Sequence, residues 1–282
     1  MIFNICLIQP DGYVHSAAFL ELAELVGYGL QDIGMTVAVT RNHIDPDATN
    51  VLIGCHLLDP RRAASVPTST VVLNTEQIDE KADTRVQATV RQWVSRFETW
   101  DYSGRNIDRI AALTGRQAKL LQLGYHPKLS RIPRSPIQDI DVLFYGSRNE
   151  RRNRILRALE ADGVRVAAVF GVYGDQRDAL IARAKLVLNM HYYDAKVFEI
   201  VRVFYLMSNS KAVVCEVGPD TAFDERYRGG LEVAPYEALV ERCRMLLDGE
   251  QERAALEERA LTTIQAMPQG PIMAELVQGA RQ

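Results

Sequence analysis

Short apolar runs alternate with longer stretches of helical period along the first part of the chain. Residues 2–8 form a nearly continuous apolar run, and between Ser16 and Ile33 apolar residues recur at intervals of three and four. The run predicts a buried strand, and the recurrence predicts an amphipathic helix with Ser16 as its N-cap and Gly34 as its stop. The same reasoning predicts strands at 35–40, 51–53 and 70–73 and helices at 87–100 and 106–113. Buried strands that alternate with helices are typical of a parallel sheet covered on both faces.

A proline-rich stretch interrupts this rhythm. From Leu123 to Gln138 the chain contains Gly124 and three prolines and has no sustained period, which predicts a linker. Beyond it the pattern predicts strands at 141–145, 164–170, 186–188 and 212–215 and helices at 151–161 and 177–184. We therefore predict an α/β protein of two doubly wound, Rossmann-like domains that face a central cleft. The predicted boundaries are 1–126 for the first domain, 127–139 for the linker and 140–282 for the second domain.

Charge and cysteine content narrow the class of protein. The 282 residues carry 33 Lys and Arg against 36 Asp and Glu, a formal net charge of −3. This balance argues against nucleic-acid binding, which usually needs a basic surface. No apolar run reaches the ~18 residues of a membrane span, and the first residues are typical of a buried strand rather than of a signal peptide. The four cysteines are widely spaced, so we expect buried, reduced thiols and a cytoplasmic protein.

The sequence DVLFYGSRNERRNRILRAL, which begins at Asp141, predicts an anion site. A buried strand ends at Gly146 and Ser147, and arginines follow at the start of the next helix. Glycine lets a ligand approach the backbone, serine can donate a hydrogen bond, and helix N-termini favour anions. We expect Arg148 and one of Arg151 or Arg152, with Arg152 preferred, to bind a diphosphate. The alternative is a solvated basic helix face that pairs with its own glutamates, and Arg154 and Arg157 are expected to face solvent.

A second polar cluster follows the predicted strand at 186–188. Its members are Asn189, His191, Tyr192, Tyr193, Asp194, Lys196, Glu199 and Arg202. Ligands of open parallel sheets bind beyond the carboxyl ends of the strands, which is where this cluster lies. We expect Glu199 to accept hydrogen bonds from ribose or sugar hydroxyls, although it could simply pair with Arg202 at i,i+3. Tyr192 could stack on a base or a sugar, or be a packing residue.

Several candidates for a general base follow the strands of the first domain. Asp11 and His15 flank the first strand–helix loop, and His56 and Glu76 follow later strands. A carboxylate or an imidazole within reach of a hydroxyl is the chemical requirement, so we list Asp11, His15 and Glu76 as catalytic candidates. Capping and turn roles are the alternative for the two carboxylates. The Asp-Pro-Asp sequence at 45–47 is interpreted as a turn, so no metal site is predicted.

Several segments resemble the GT-B glycosyltransferases. VLFYGSRNERR resembles their diphosphate-binding loop, FEIVRVFYLMSNSKAVVCE resembles their donor-binding helix and strand, and residues 229–261 resemble the end of their donor domain. VVLNTEQ and TWDYSGRNI resemble segments of small bacterial glycosyltransferase-like proteins. Many retaining members carry two glutamates eight residues apart, and here the second position is Tyr205. The resemblance therefore leaves open whether the reaction retains or inverts the anomeric configuration.

The resemblance implies a metal-independent transferase. It would move a hexosyl or pentosyl group from a nucleotide-diphosphate sugar, bound by the second domain, to an unidentified acceptor at the first. No cofactor beyond the sugar nucleotide is expected, and a homo-oligomer is possible. The alternatives are a catalytically silent nucleotide-sugar-binding or scaffold protein and a nucleotide-sugar epimerase of the same fold.

Overall fold

The computed structural model describes residues 1–78, 84–193 and 196–278, which form two compact units. The first unit is Met1–Gly124 together with the C-terminal segment that starts at Pro268, and the second is Tyr125–Met267. In the part of the chain that is described, no helix combines the length and the apolar character needed to cross a membrane. All four cysteines are buried and free, as the sequence predicts.

The first unit is built on a parallel sheet of six strands. Its strands are β1 (Ile2–Leu7), β2 (Thr36–Arg41), β3 (Thr49–Ile53), β4 (Val71–Asn74), β5 (Glu98–Asp101) and β6 (Lys119–Leu120), and its first helices are α1 (Leu20–Asp32), α2 (Arg85–Val94) and α3 (Gly104–Thr114). The strand order is β2-β1-β3-β4-β5-β6, with Phe3 opposite both Val37 and Thr49. Every residue of β4 is buried, which explains why its sequence is a continuous apolar run rather than an alternating one.

The second unit is built on a parallel sheet of five strands in the order β11-β10-β9-β7-β8. Its strands are β7 (Ile140–Tyr145), β8 (Val166–Val169), β9 (Ala184–Asn189), β10 (Ala212–Glu216) and β11 (Glu232–Ala234), and its helices are α4 (Glu150–Ala161), α5 (Gly174–Arg183), α6 (Ile200–Ser208), α7 (Leu239–Asp248) and α8 (Glu250–Gln265). Leu186, Val187 and Leu188 of β9 are completely buried. Burying a leucine or valine side chain contributes about 1.5–3 kcal/mol, so these strands anchor the unit.

The two parallel α/β sheets confirm the predicted fold class, and two predicted elements are wrong. Ser16 does not cap a helix: its hydroxyl donates to the backbone oxygen of Ile8 at 2.7 Å, inside a 3-10 turn that precedes α1. The predicted helix 87–100 is two elements, because α2 ends at Val94 and β5 begins at Glu98. Trp100 in β5 is buried, and its apolar character extended the apparent helical period.

The segment predicted as a linker packs into the second unit. Leu129 is fully buried, and the Asn209 side-chain oxygen accepts from the backbone N–H groups of Arg131 and Ile132, both at 2.8 Å. The backbone of this segment is thus hydrogen-bonded to the unit, although it forms neither a long helix nor a strand. The prolines therefore indicate irregular backbone here, and the segment is packed against the second unit rather than being a solvated linker.

The last helix, α9 (Gln269–Gln278), belongs to the first unit, which differs from the prediction of one domain over 140–282. It packs on α1 at Gly29, where a Cβ atom would lie only 2.7 Å from Gln269 Cγ. The buried Gln269 side chain accepts from Gly124 N at 2.7 Å and donates to Gln122 O at 3.2 Å. These contacts join residues about 145 positions apart, so no local pattern could reveal them.

Candidate functional site

Polar residues gather at the carboxyl edge of the second sheet. Gly146 directly follows β7, Asn189 ends β9 and Glu216 ends β10. Strand β9 lies between β7 and β10, and all three run parallel. Their carboxyl ends therefore lie side by side, so the two clusters recognised in the sequence form one site.

Arg152 is the buried centre of this site. It lies in the first turn of α4, where the Asn149 side chain caps the helix by accepting from Arg152 N at 2.9 Å. The guanidinium donates to Ser147 O at 2.8 Å, to His191 O at 3.2 Å and to Met190 O. Only 3% of its side chain is exposed. Backbone oxygens thus compensate a cation at a helix N-terminus, where the helix dipole would otherwise oppose it.

Arg202 approaches the same point from α6. Its guanidinium donates to Asn189 Oδ1 at 2.7 Å and lies over the Tyr145 ring, 5.0 Å from the centroid. Gly146 has a φ of 148°, and a Cβ atom there would lie 3.0 Å from Arg202 Nη2 and 3.6 Å from Arg152 Nη1. The missing side chain leaves room for both guanidinium groups beside the backbone.

Glu199 is the carboxylate that accompanies the two arginines. It precedes α6, and its oxygens lie 3.2 Å from Asn189 Nδ2, 3.3 Å from His191 Nδ1 and 3.7 Å from Arg152 Nη2. The other ring nitrogen of His191 lies 3.0 Å from Thr221 Oγ1. The i,i+3 ion pair between Glu199 and Arg202 is not formed; both residues bond to Asn189 instead.

The electrostatics of the site favour an anion. Burial and, after it, the neighbouring positive charge of Arg202 lower the pKa of Arg152 to about 10, against the opposing effect of the Glu199 carboxylate. A guanidinium still remains protonated at neutral pH. Two like charges are therefore held close together with one carboxylate near them, and an anionic ligand would offset this repulsion.

Arg151 and Glu216 form a bidentate ion pair that the sequence did not predict. Arg151 Nη1 donates to Glu216 Oε2 at 2.7 Å, Nη2 donates to Oε1, and the guanidinium lies 3.8 Å from the centroid of the Tyr236 ring. Burial would raise the pKa of Glu216, but the bonds from Arg151 and the backbone N–H of His191 hold it below its usual value. Because Glu216 neutralises Arg151, Arg202 is the guanidinium beside Gly146 that a ligand can contact, and Arg152 adds positive charge from its buried position.

Four other predicted donor-binding residues lie at the margin of this site. Arg148 is exposed, with Nε donating to Asn153 Oδ1 at 2.7 Å, and Ser147 is half-buried. Tyr192 is 38% exposed, with its ring 5.2 Å from Arg152 Cζ, and Lys196 lies 3.8 Å from Asp220. Arg154 and Arg157 are exposed, as expected. Asp194 lies outside the described residues.

Two of the catalytic candidates of the first unit share a neighbour, because Tyr13, which contacts His15, also feels the charge of Glu76. Glu76 Oε1 lies 3.4 Å from His56 Nδ1. Asp11 is exposed and helps to line an open cavity of about 400 Å³ at the carboxyl ends of β1 and β3. His15 packs edge-on against Tyr13, with ring centroids 5.2 Å apart. Glu76 is therefore paired with another candidate acid or base, His56.

Comparison of the sequence with known proteins finds relatives of unknown function. No protein-family model matches the chain. The uncharacterized protein L140 of Acanthamoeba polyphaga mimivirus is 28% identical over 255 residues, which cover 83% of this chain and 79% of L140. Two further proteins of that virus match over only 13% and 21% of their own lengths.

Solved structures match over nearly the whole chain. HepE of Anabaena, in complex with UDP and glucose, superposes with a TM-score of 0.65 at 12% identity, covering 100% of this chain and 99% of HepE. WaaG, a glycosyltransferase involved in lipopolysaccharide biosynthesis, superposes with a TM-score of 0.61 at 13% identity, covering 98% of both chains. The protein has the GT-B glycosyltransferase-like fold, as the sequence resemblance implied.

Proposed function

We propose that this protein is a glycosyltransferase that binds a nucleotide-diphosphate sugar at the carboxyl edge of the second sheet and transfers the sugar to an acceptor. The observation that carries this proposal is the convergence of Arg152 and Arg202 beside Gly146. Fold alone does not fix function, so the proposal rests on this site as well as on the architecture.

The two guanidinium groups suit a diphosphate. Arg202 is half-buried, and Asn189 is its hydrogen-bond acceptor among the described residues. A guanidinium has five N–H donors, so Arg202 can still donate to phosphate oxygens. Arg152 adds positive charge from a fixed, buried position. Negative charge develops on the diphosphate as the glycosidic bond breaks, and preorganised cations stabilise that charge without reorganisation.

Glu199 and Ser147 suit the remainder of the donor. The Glu199 carboxylate is held by Asn189 and His191, with 17% of its side chain exposed. An ionised carboxylate only accepts hydrogen bonds, so it fits ribose or sugar hydroxyls. We propose that Ser147 donates to a phosphate oxygen and that Tyr192 lies against the base or the sugar. The UDP bound to HepE favours UDP-sugars as the first donors to test.

We assign acceptor activation to the first unit. Glu76 beside His56 is the preferred pair, since a carboxylate next to an imidazole can remove a proton from an attacking hydroxyl. Asp11 and His15 remain secondary candidates. Because arginines supply the positive charge at the proposed diphosphate site, we propose that transfer needs no metal. A cytoplasmic location stays a prediction.

A panel of nucleoside diphosphates and nucleotide sugars tests this proposal in two measurements. Ligands that bind the native state raise its melting temperature, so the donor should produce the largest thermal shift. The same donor, incubated with enzyme but no acceptor, should slowly release its nucleoside diphosphate. Binding without release favours a silent binding protein, and interconversion of sugar nucleotides favours an epimerase. No thermal shift with any member contradicts the proposal.

A further inference from the structure

In the loop from Asn74 to Ile78, side chains bond to all four carbonyl oxygens of residues 75–78 and to the N–H groups of Glu76 and Ile78. Donors to its carbonyl oxygens come from Tyr102 (to Thr75, 3.0 Å), Asn74 and Asn106 (to Glu76, 2.8 and 3.0 Å), Gln87 (to Gln77, 2.8 Å) and Arg109 (to Ile78). The N–H of Ile78 donates to Asn106 Oδ1 at 3.0 Å. Surface loops usually expose such groups to water. This loop, which contains Glu76, is therefore fastened to the unit from β5, α2 and α3.

The buried carboxylate of Asp101 lies at the centre of these bonds. Asp101 is at the end of β5 and is completely buried. Its Oδ2 accepts from Asn74 Nδ2 at 2.7 Å and from Asn106 Nδ2 at 3.0 Å, and its Oδ1 accepts from Ser103 N at 2.8 Å. Both amide NH2 groups that bind Asp101 also donate to the carbonyl oxygen of Glu76.

Asp101 thereby determines the orientation of the Asn74 and Asn106 side-chain amides. Burial raises the pKa of Asp101 to about 7, so above that pH the carboxylate is ionised, only accepts hydrogen bonds and requires the NH2 side of each amide to face it. The amide oxygens then point to the backbone: Asn74 Oδ1 accepts from Glu76 N at 3.2 Å, and Asn106 Oδ1 accepts from Ile78 N. A reversed amide would place an oxygen against the carboxylate and an NH2 group against a backbone N–H.

We infer that Asp101 is a positioning residue, which fixes the loop Asn74–Ile78 through the amides of Asn74 and Asn106 and so holds Glu76 beside His56. The catalytic consequence of this inference rests on the proposed function of Glu76. The fixed geometry of the loop does not depend on that proposed function. The geometry and its catalytic consequence can therefore be tested separately.

Asp101→Asn tests the geometry at nearly constant volume. The NH2 group of the new amide must take the place of Oδ2, against the Asn74 and Asn106 amides, or of Oδ1, against Ser103 N and Asn106 Nδ2, which lies 3.3 Å away. In either orientation a donor faces the Asn106 amide, so Asn106 loses a partner and its hold on the loop weakens. Above pH 7, where Asp101 of the wild type is ionised, hydrogen exchange at the Ile78 amide of the variant should be about tenfold or more faster relative to Val72 in β4, because local opening becomes easier while the sheet stays intact. Asp108→Asn, an exposed change on α3, is the matched control. Unchanged exchange at Ile78 in Asp101→Asn overturns the inference.

Kinetics of UDP-glucose hydrolysis test the consequence for Glu76. Asp101→Asn should lower kcat and leave KM unchanged, because the proposed donor site lies in the other unit. Combined with Glu76→Gln, it should lower kcat no further than the stronger single change, since residues that act through one group are not additive. Additive losses, or a raised KM with unchanged kcat, overturn the positioning role. If the wild-type protein binds UDP-glucose without releasing UDP, the proposed function fails, and the exchange measurement alone decides the inference.

Discussion

Replacing Arg202 by alanine should weaken UDP binding strongly. The proposed contact is a charge-assisted hydrogen bond, worth about 1.5–3 kcal/mol, so Kd should rise by roughly 10- to 150-fold. The loss is specific to this position because Arg202 is half-buried beside Gly146 and is not part of an ion pair in the described chain. A lysine at 202 keeps the charge but not the planar fork, so its effect should be intermediate.

A secondary effect works against this loss without cancelling it. Burial is the largest cause of the lowered pKa of Arg152, and the positive charge of Arg202 is the second. Removing Arg202 therefore stabilises the protonated form of Arg152. Arg152 cannot take over the contact, because three backbone oxygens hold its guanidinium and 3% of its side chain is exposed. The change also leaves the buried Asn189 oxygen without its donor, which costs about 1–3 kcal/mol of stability. Affinity must therefore be measured well below the melting temperature.

Titration calorimetry with UDP measures the effect directly. Arg157→Ala is the matched control, because Arg157 lies on α4, is 60% exposed and pairs with Glu150. Its Kd should equal that of the wild type. Equal weakening by both alanine variants would refute the assigned site and favour a diffuse basic face. No weakening in either variant would place UDP binding elsewhere.

Three further predictions concern the site and the fold. Glu199→Gln should weaken UDP-sugar binding by about tenfold, roughly 1.4 kcal/mol, and an unchanged Kd in calorimetry would remove Glu199 from the donor site. Gly146→Ala and Gly163→Ala both force alanine into a positive φ, of 148° and 80°, so both should cost about 1–3 kcal/mol of unfolding free energy in urea. Gly146→Ala alone should also reduce UDP affinity, since a Cβ at 163 meets nothing within 4 Å. Burial raises the pKa of Asp101 from 3.8 to about 7. Between these two values the folded state keeps a proton that the unfolded state has lost. The free energy of unfolding should therefore fall by about 4 kcal/mol as the pH rises from about 4 to 7. Asp101→Asn should remove this fall, and parallel pH curves for the two proteins would contradict the assignment.

The structure brings together residues that the sequence proposes for the donor side, because their spacing along the chain is local; their role in donor binding stays a prediction. Gly146 and Arg152 are six residues apart, and Glu199 and Arg202 are three apart, so one strand end and one helix start bring each pair together. Parallel strands then place both pairs at one edge. The prediction for Arg148 remains open: it is exposed and bonded to Asn153, whereas the buried Arg152 lies closer to the centre of the site.

Features that depend on distant contacts could not be predicted in this way. Arg151 and Glu216 are 65 positions apart, and Asn74 and Asp101 are 27 apart. Gln269 joins α9 to the first unit across about 145 positions. Each of these residues has an ordinary polar side chain in its local sequence, and only the fold shows which partner it meets. A buried polar side chain needs such a partner, but local sequence does not identify it.

The release of UDP from UDP-sugars tests the central claim most directly. The wild-type protein should liberate UDP from at least one UDP-sugar without added metal and in the presence of EDTA, and Arg202→Ala should reduce the rate at subsaturating donor by at least about tenfold. Arg157→Ala should release UDP at the wild-type rate. A wild-type protein that binds UDP-sugars but never releases UDP, or a rate unaffected by Arg202→Ala, would contradict the account.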